Sequence, residues 1–334
     1  MKRFLARFLI ISVILYTGLA QADKISGVDA IGITVSDMDR ALAFYTKVLP
    51  FKVVSDREVA GDRYEHLFGV FGMRARIVRL ALGKERIQLI DYIAKEGRPI
   101  PVDSQSNDEW FQHIAIVVSD MDRAFEHLKG HHVAFSSPSP QRLPDWNPNA
   151  GGIEAFYFRD PDGNPLELIH FPPGKGNPRW QQDDHRLFLG IDHTAIVVHD
   201  TDAALRFYRD GLGLKIKGHS ENYGIEQERL NNVFGARLRI TGLGGESGPG
   251  IELLEYLTPR TGRPMPEDTR ANDLWHGQIY LSADSLKKMV PRITSHGGSL
   301  VSPGVVGMGD QAPFDAGVLA RGPSGHAVLV MSGE

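Results

Sequence analysis

The stretch His113-Ile114-Ala115-Ile116-Val117-Val118-Ser119-Asp120-Met121-Asp122-Arg123-Ala124 decides the organisation of this chain, because it recurs. Ala30-Ile31-Gly32-Ile33-Thr34-Val35 precedes Ser36-Asp37-Met38-Asp39-Arg40-Ala41, and His193-Thr194-Ala195-Ile196-Val197-Val198 precedes His199-Asp200-Thr201-Asp202-Ala203-Ala204. A fourth copy opens with Gln278-Ile279-Tyr280-Leu281-Ser282-Ala283. Each is an apolar strand leading into an Asp-bearing helix start, and internal repeats of this kind organise a fold before any other signal does. Ser36 with Asp39 has the spacing of a helix N-terminal capping arrangement.

A longer period lies above the short one. Phe71-Gly72-Met73-Arg74-Ala75-Arg76-Ile77 matches Phe234-Gly235-Ala236-Arg237-Leu238-Arg239-Ile240, and Ile87-Gln88-Leu89-Ile90-Asp91-Tyr92 matches Ile251-Glu252-Leu253-Leu254-Glu255-Tyr256. The chain therefore reads as one duplicated domain, 26–172 and 190–333, joined by a breaker-rich linker over 173–189. Each half holds two units of one strand, one helix and about three further strands. Turns such as Asp160-Pro161-Asp162-Gly163 set off the closing strand, here Leu166-Glu167-Leu168-Ile169.

Two positions vary between units in a correlated way. The first strand opens with histidine only in units two and three, at His113 and His193. The closing strand carries glutamate only in the same units, at Glu167 and Glu252, where the others have Gln88 and Leu329. If units two and three pair, the four residues meet in one site. If pairing follows sequence order, each half holds one His, one Glu and one Gln. The losses in units one and four favour the first arrangement. Two imidazoles and two carboxylates suit a divalent ion such as Zn, Ni, Co, Fe or Mn.

Composition narrows the classes. The 334 residues carry 42% apolar and 23% charged side chains, a net charge of -4 and no basic block, which argues against a nucleic-acid partner. The absence of cysteine excludes thiolate ligands, disulfides and cysteine nucleophiles. Residues 1–22 read as a secretory signal peptide: Lys2, Arg3 and Arg7, an apolar run from Phe8 to Leu19, and Ala20-Gln21-Ala22 at the cleavage point. The run is shorter than the roughly 20 residues that span a bilayer, so the expectation is a periplasmic or secreted protein without a stable membrane anchor.

The histidine-bearing strand, the Asp-rich helix start, Phe44-Tyr45 and Phe207-Tyr208, and the Pro-Asp-Gly turn before a Glu-Leu strand together resemble the vicinal oxygen chelate superfamily. That superfamily includes glyoxalase I, extradiol dioxygenases and bleomycin resistance proteins. The resemblance covers the whole mature chain and implies an α+β fold: four βαβββ modules whose paired curved mixed sheets enclose a cavity. It places ligand positions at Ala30 and Gln88, His113 and Glu167, His193 and Glu252, and Gln278 and Leu329. His276 shares strand parity with Gln278, and a two-residue shift would put it there instead.

The implied chemistry is that of a metal-dependent lyase or isomerase of glyoxalase type. It acts on a small substrate with vicinal oxygens through an enediolate, with Glu167 or Glu252 as base. An extradiol ring-cleaving dioxygenase is the alternative, using His193, His276 and Glu252, and a metal-free binding protein is a third reading. Arg76 alternates with Arg74, and Arg239 with Arg237, so each pair shares a strand face that could hold a carboxylate or phosphate; Arg76, Arg239 and the cavity-wall candidate Tyr223 are candidate substrate contacts. Internal duplication makes either a monomer or a homodimer compatible with the pattern.

Overall fold

A computed structural model describes residues 25–182 and 185–333. The proposed signal peptide lies outside the described residues. No helix among them is long and apolar enough to cross a membrane.

Unit one contains β1 (Ile25–Val35), α1 (Met38–Ala43), β2 (Lys52–Ala60), α2 (Asp62–Phe68), β3 (Arg74–Leu82) and β4 (Glu85–Ala94). Unit two contains β5 (Gln112–Val118), α3 (Met121–Gly130), the short β6 (Ala134–Phe135) and β7 (Gln141–Arg142), then β8 (Glu154–Arg159) and β9 (Pro165–His170). Unit three repeats the first, with β10 (Phe188–Val197), α4 (Thr201–Leu205), β11 (Lys215–Tyr223), α5 (Ile225–Asn231), β12 (Arg237–Gly244) and β13 (Gly250–Thr258). Unit four contains β14 (Gly277–Ala283), α6 (Met289–Ser295), β15 (Ser299–Leu300), β16 (Val306–Gly307), β17 (Ala316–Arg321) and β18 (Ala327–Ser332). Units one and three thus carry a second helix beyond the expected strand-helix-three-strand plan. β10 also starts inside the stretch read as linker.

The helix starts are capped by Asp37, Asp120 and Asp200, whose side chains accept from the backbone N–H three residues on. The cap is therefore one residue later than Ser36, whose hydroxyl instead donates to Asp162 Oδ1 at 2.6 Å.

The strands form two nine-stranded mixed sheets. One joins units one and four through antiparallel β1 and β14; the other joins units two and three through antiparallel β5 and β10. In each unit the closing strand runs parallel to the first, as β9 beside β5 and β13 beside β10. The apolar cores join the units the other way round. One core cluster holds residues of units one and two around α1 and α3, and another holds residues of units three and four around α4 and α6. The four units therefore form a closed ring, linked alternately by strand pairing and by side-chain packing.

The two sheets differ in what fills their inner faces. In the unit one and four sheet, Tyr64, Leu67 and Phe68 of α2 pack with Ala30, Ile77, Phe314, Leu319 and Leu329 into a solid apolar core. In the unit two and three sheet the same side holds a cavity of about 780 Å³. A cavity of that size, lined by both units, lies within the roughly 300–1,000 Å³ usual for small-molecule sites.

Candidate metal centre

Register sets the site. In the unit two and three sheet, His113 lies opposite Ala195 and His193 opposite Ala115 across the central antiparallel pair. Glu167 lies beside Ala115, and Glu252 beside Ala195, across the parallel pairs. A central pair flanked by parallel strands therefore puts all four side chains on one face, and all four line the cavity.

The geometry is close. Glu167 Oε2 stands 3.0 Å from His113 Nε2 and 3.5 Å from His193 Nε2. The donor atoms of His113, Glu167 and His193 all lie within 4.8 Å of one another. Glu252 Oε2 lies beside this cluster, 3.4 Å from His193 Nε2. His113 is buried, and neither of its ring nitrogens has a hydrogen-bond partner of acceptable geometry. A buried imidazole whose Nδ1 is unpartnered and whose Nε2 faces a carboxylate at 3.0 Å without hydrogen-bond geometry is arranged as two ligands of one ion would be. Two imidazoles and one carboxylate converging on one point, with a second carboxylate beside them, fit a divalent ion.

Electrostatics separates the two glutamates. Burial alone raises the Glu167 carboxyl, but the imidazoles of His113 and His193 override it and hold it at about 2. Glu252 is raised, because burial and the neighbouring Glu167 outweigh the pull of His193. Some 32% of the Glu252 side chain is exposed, against 6% of Glu167. Glu167 is the fixed anion of the cluster and Glu252 the accessible one.

Asp192 also belongs to the site, although the sequence gives no sign of it. A β-bulge between Ile191 and His193 breaks the alternation of β10 and turns two successive side chains into the cavity. Asp192 Oδ2 lies 3.0 Å from His193 Nδ1, while Trp180 Nε1 donates to Asp192 Oδ1 at 2.7 Å. Burial would raise Asp192, but His193, Trp180 and Arg179 hold it below the usual carboxylate range. An ionised Asp192 keeps the proton on Nδ1 and leaves Nε2 facing Glu167 and Glu252, the orienting role that outer carboxylates play behind ligating histidines. Asp192→Asn is expected to weaken zinc binding by about 10–100-fold with the fold intact. Competition with a chromogenic chelator measures this, and an unchanged affinity would remove Asp192 from the site.

Three expected substrate contacts do not line the cavity. In β12 the even-numbered Leu238 and Ile240 face inward, so Arg239 faces out and pairs with Asp202 at 2.8 Å. Arg76 likewise lies outside its own sheet, bound to Asp56 and Asp39, each at 2.7 Å. Tyr223 has the opposite parity to the cavity-lining Asn222, and it stacks on Trp146 with ring centroids 4.4 Å apart.

The position equivalent to His113 is Gln278, which pairs with Gly32 as His113 pairs with Ala195. His276 precedes β14 in the other sheet, where its Nε2 meets Gln278 Oε1 at 3.1 Å. It cannot join His193 and Glu252 on one ion. Where the second and third units have the small Ala115, the first and fourth have Tyr280. Its hydroxyl accepts from both Gln88 and Gln278 and occupies the space between them.

Comparison with known proteins places this architecture. The sequence profile of the Glyoxalase/Bleomycin resistance protein/Dioxygenase superfamily matches residues 27–168 and again 190–330. A 2-epi-5-epi-valiolone epimerase from an Actinomyces species is 35% identical over 163 residues, covering 46% of this chain and 84% of that protein. A lactoylglutathione lyase from Arabidopsis thaliana is 26% identical over 184 residues, and the match spans 54% of this chain and about half, 53%, of the plant protein. Among solved structures, glyoxalase I from Zea mays superposes with a TM-score of 0.61 over 93% of this chain and 92% of that one, at 15% identity. At that identity the likeness is one of fold.

Proposed function

The chain belongs to the Glyoxalase/Bleomycin resistance protein/Dioxygenase superfamily, and within it we propose a divalent-metal-dependent lyase or isomerase. In this reading it moves a proton next to a carbonyl of a small substrate with adjacent oxygens. The observation that carries the reading is the cluster of His113, Glu167 and His193 on the wall of a large cavity, with Glu252 beside it and the His113 Nδ1 buried without a partner. Epimerase and lyase relatives support the same class of chemistry.

The roles follow from burial and charge. His113, Glu167 and His193 would hold the ion, with Asp192 fixing the His193 ring. A bound divalent ion supplies Lewis acidity at a substrate oxygen. Glu252, accessible and raised, is the base: its carboxylate takes the proton from the carbon next to the carbonyl. The electron pair left behind delocalises into the carbonyl as an enediolate. Glu252 then returns the proton to the neighbouring carbon or to the opposite face. No oxidant or second substrate is required, and the product is an isomer of the substrate. The dioxygenase alternative cannot draw on His276, which stands just before β14 of the other sheet. The proposed compartment is an exported one, on the strength of the leader-like residues 1–22.

Solvent exchange tests the reaction class. The zinc-loaded full chain in D₂O is expected to wash deuterium into the carbon next to the carbonyl of a 2-hydroxyketone, followed by proton NMR, above the rate of metal-stripped protein. Equal rates with and without metal would reject the reading.

A further inference from the structure

The duplication supplies an internal control for the cavity wall. α2 and α5 are equivalent seven-residue helices, each entered from a glycine, Gly61 or Gly224, and each ended by a left-handed residue, Gly69 or Asn232. In the filled half, α2 points Tyr64 and Phe68 into an apolar core. In the open half the matching positions are Gln227 and Asn231, both buried. Val59, a third residue of that core, is replaced by Asn222. Polar side chains thus stand where the same fold elsewhere uses aromatic and aliphatic ones, and burying amides is costly unless they are matched.

They are matched on one side only. Asn231 Nδ2 donates to Tyr256 OH at 2.8 Å, and Gln227 Nε2 donates to Asn231 Oδ1. Gln227 lines the cavity and is 2% exposed, yet its Oε1 has no hydrogen-bond partner. The relay holds the amide fixed and leaves a desolvated acceptor at the wall that Glu252 also lines. Such an acceptor discriminates strongly, because a ligand that offers no hydrogen leaves it buried and unpaired.

The charges of the wall narrow the ligand further. Its carboxylates are Glu167, Glu252, Asp192 and Glu246. Its arginine and lysine residues are Arg179, ion-paired with Glu85 at 2.6 Å, and Lys217 on an exposed part of β11. A phosphate or a dicarboxylate calls for a free arginine fork, which the lining residues do not present. Asn149, Ser220 and Asn222 add neutral hydrogen-bonding groups to the same wall.

We propose that the Gln227–Asn231–Tyr256 relay reads a hydroxyl group, and that the substrate is an uncharged polyhydroxylated ketone. This rests on the proposed function and names the substrate class of the same site.

The test compares two probes on the zinc-loaded full chain: a pentahydroxycyclohexanone, and 2-hydroxycyclohexanone, which keeps the adjacent oxygens but lacks the outer hydroxyls. Deuterium exchange gives kcat and KM for each, and titration calorimetry gives binding. Wild type is expected to favour the polyol in kcat/KM by about 100-fold or more. Gln227→Leu is expected to cut that preference by at least about 10-fold, chiefly through KM. Tyr256→Phe, which unpins the relay, should move it in the same direction by less. An equal loss on both probes, or an unchanged ratio, would overturn the role of Gln227. A wild type that does not favour the polyol would overturn the substrate class while leaving the proposed function standing. If wild type exchanges neither probe, the proposed function fails, and calorimetry still decides the inference: polyol binding weakened by Gln227→Leu supports it, and absent or unaltered binding overturns it.

Discussion

Glu252→Gln will lower turnover by about 10³-fold while the protein still binds its metal ion, the effect expected when a positioned general base is lost. Three donors, His113, Glu167 and His193, already lie within 4.8 Å of one another without Glu252. Glu252 stands beside that cluster, is the more exposed of the two carboxylates, and is raised where Glu167 is lowered. Groups whose environments push their affinities for a proton apart have different work to do. Glutamine keeps the shape and a ligating oxygen but accepts no proton. Exchange rates and zinc content measured on the same sample check this. Retained turnover would shift the base to another residue, and loss of the ion would make Glu252 an indispensable ligand.

Glu167→Ala is expected to weaken metal binding by well over about 100-fold, more than the 10–100-fold typical of residues behind the ligands. Glu167 faces both imidazoles at once, at 3.0 and 3.5 Å, and carries the charge that draws them together. Its removal leaves His113 and His193 buried without their shared anion. Zinc should raise the melting temperature of wild type, since a ligand at 100 times its Kd stabilises the folded state by about 2.7 kcal/mol. The variant should show no such rise. A full zinc-dependent rise in Glu167→Ala would place the ion elsewhere.

Much of this molecule was legible as repetition. Four copies of one strand-helix start mark the units, and the survival of His and Glu in only two of them indicates which strands share a cavity. Other features depend on three-dimensional detail that periodicity does not encode. Alternation showed that Arg237 and Arg239 share a face but not which face; inward Leu238 and Ile240 settle it. Strict alternation would have sent Asp192 away from His193, and only a bulge brings it round. Gln227 and Asn231 sit on a helix of seven residues, too short for a clear amphipathic pattern, and a lone glutamine there resembles a surface residue. The signal that reveals them is the comparison of α5 with α2, in which Tyr64 and Phe68 fill the corresponding space. Tyr280 closes the other half in the same manner: a large side chain opposite Ala30 takes the room that Ala115 leaves open opposite His193.

The central claim is a single metal centre shared by units two and three. Elemental analysis of the full chain, stripped, reloaded with zinc and desalted, measures it directly. One tightly held ion per chain is expected, because the second set of equivalent positions is Ala30, Gln88, Gln278 and Leu329, with the Tyr280 hydroxyl bonded between the two glutamines. Two ions per chain, or none, would contradict it.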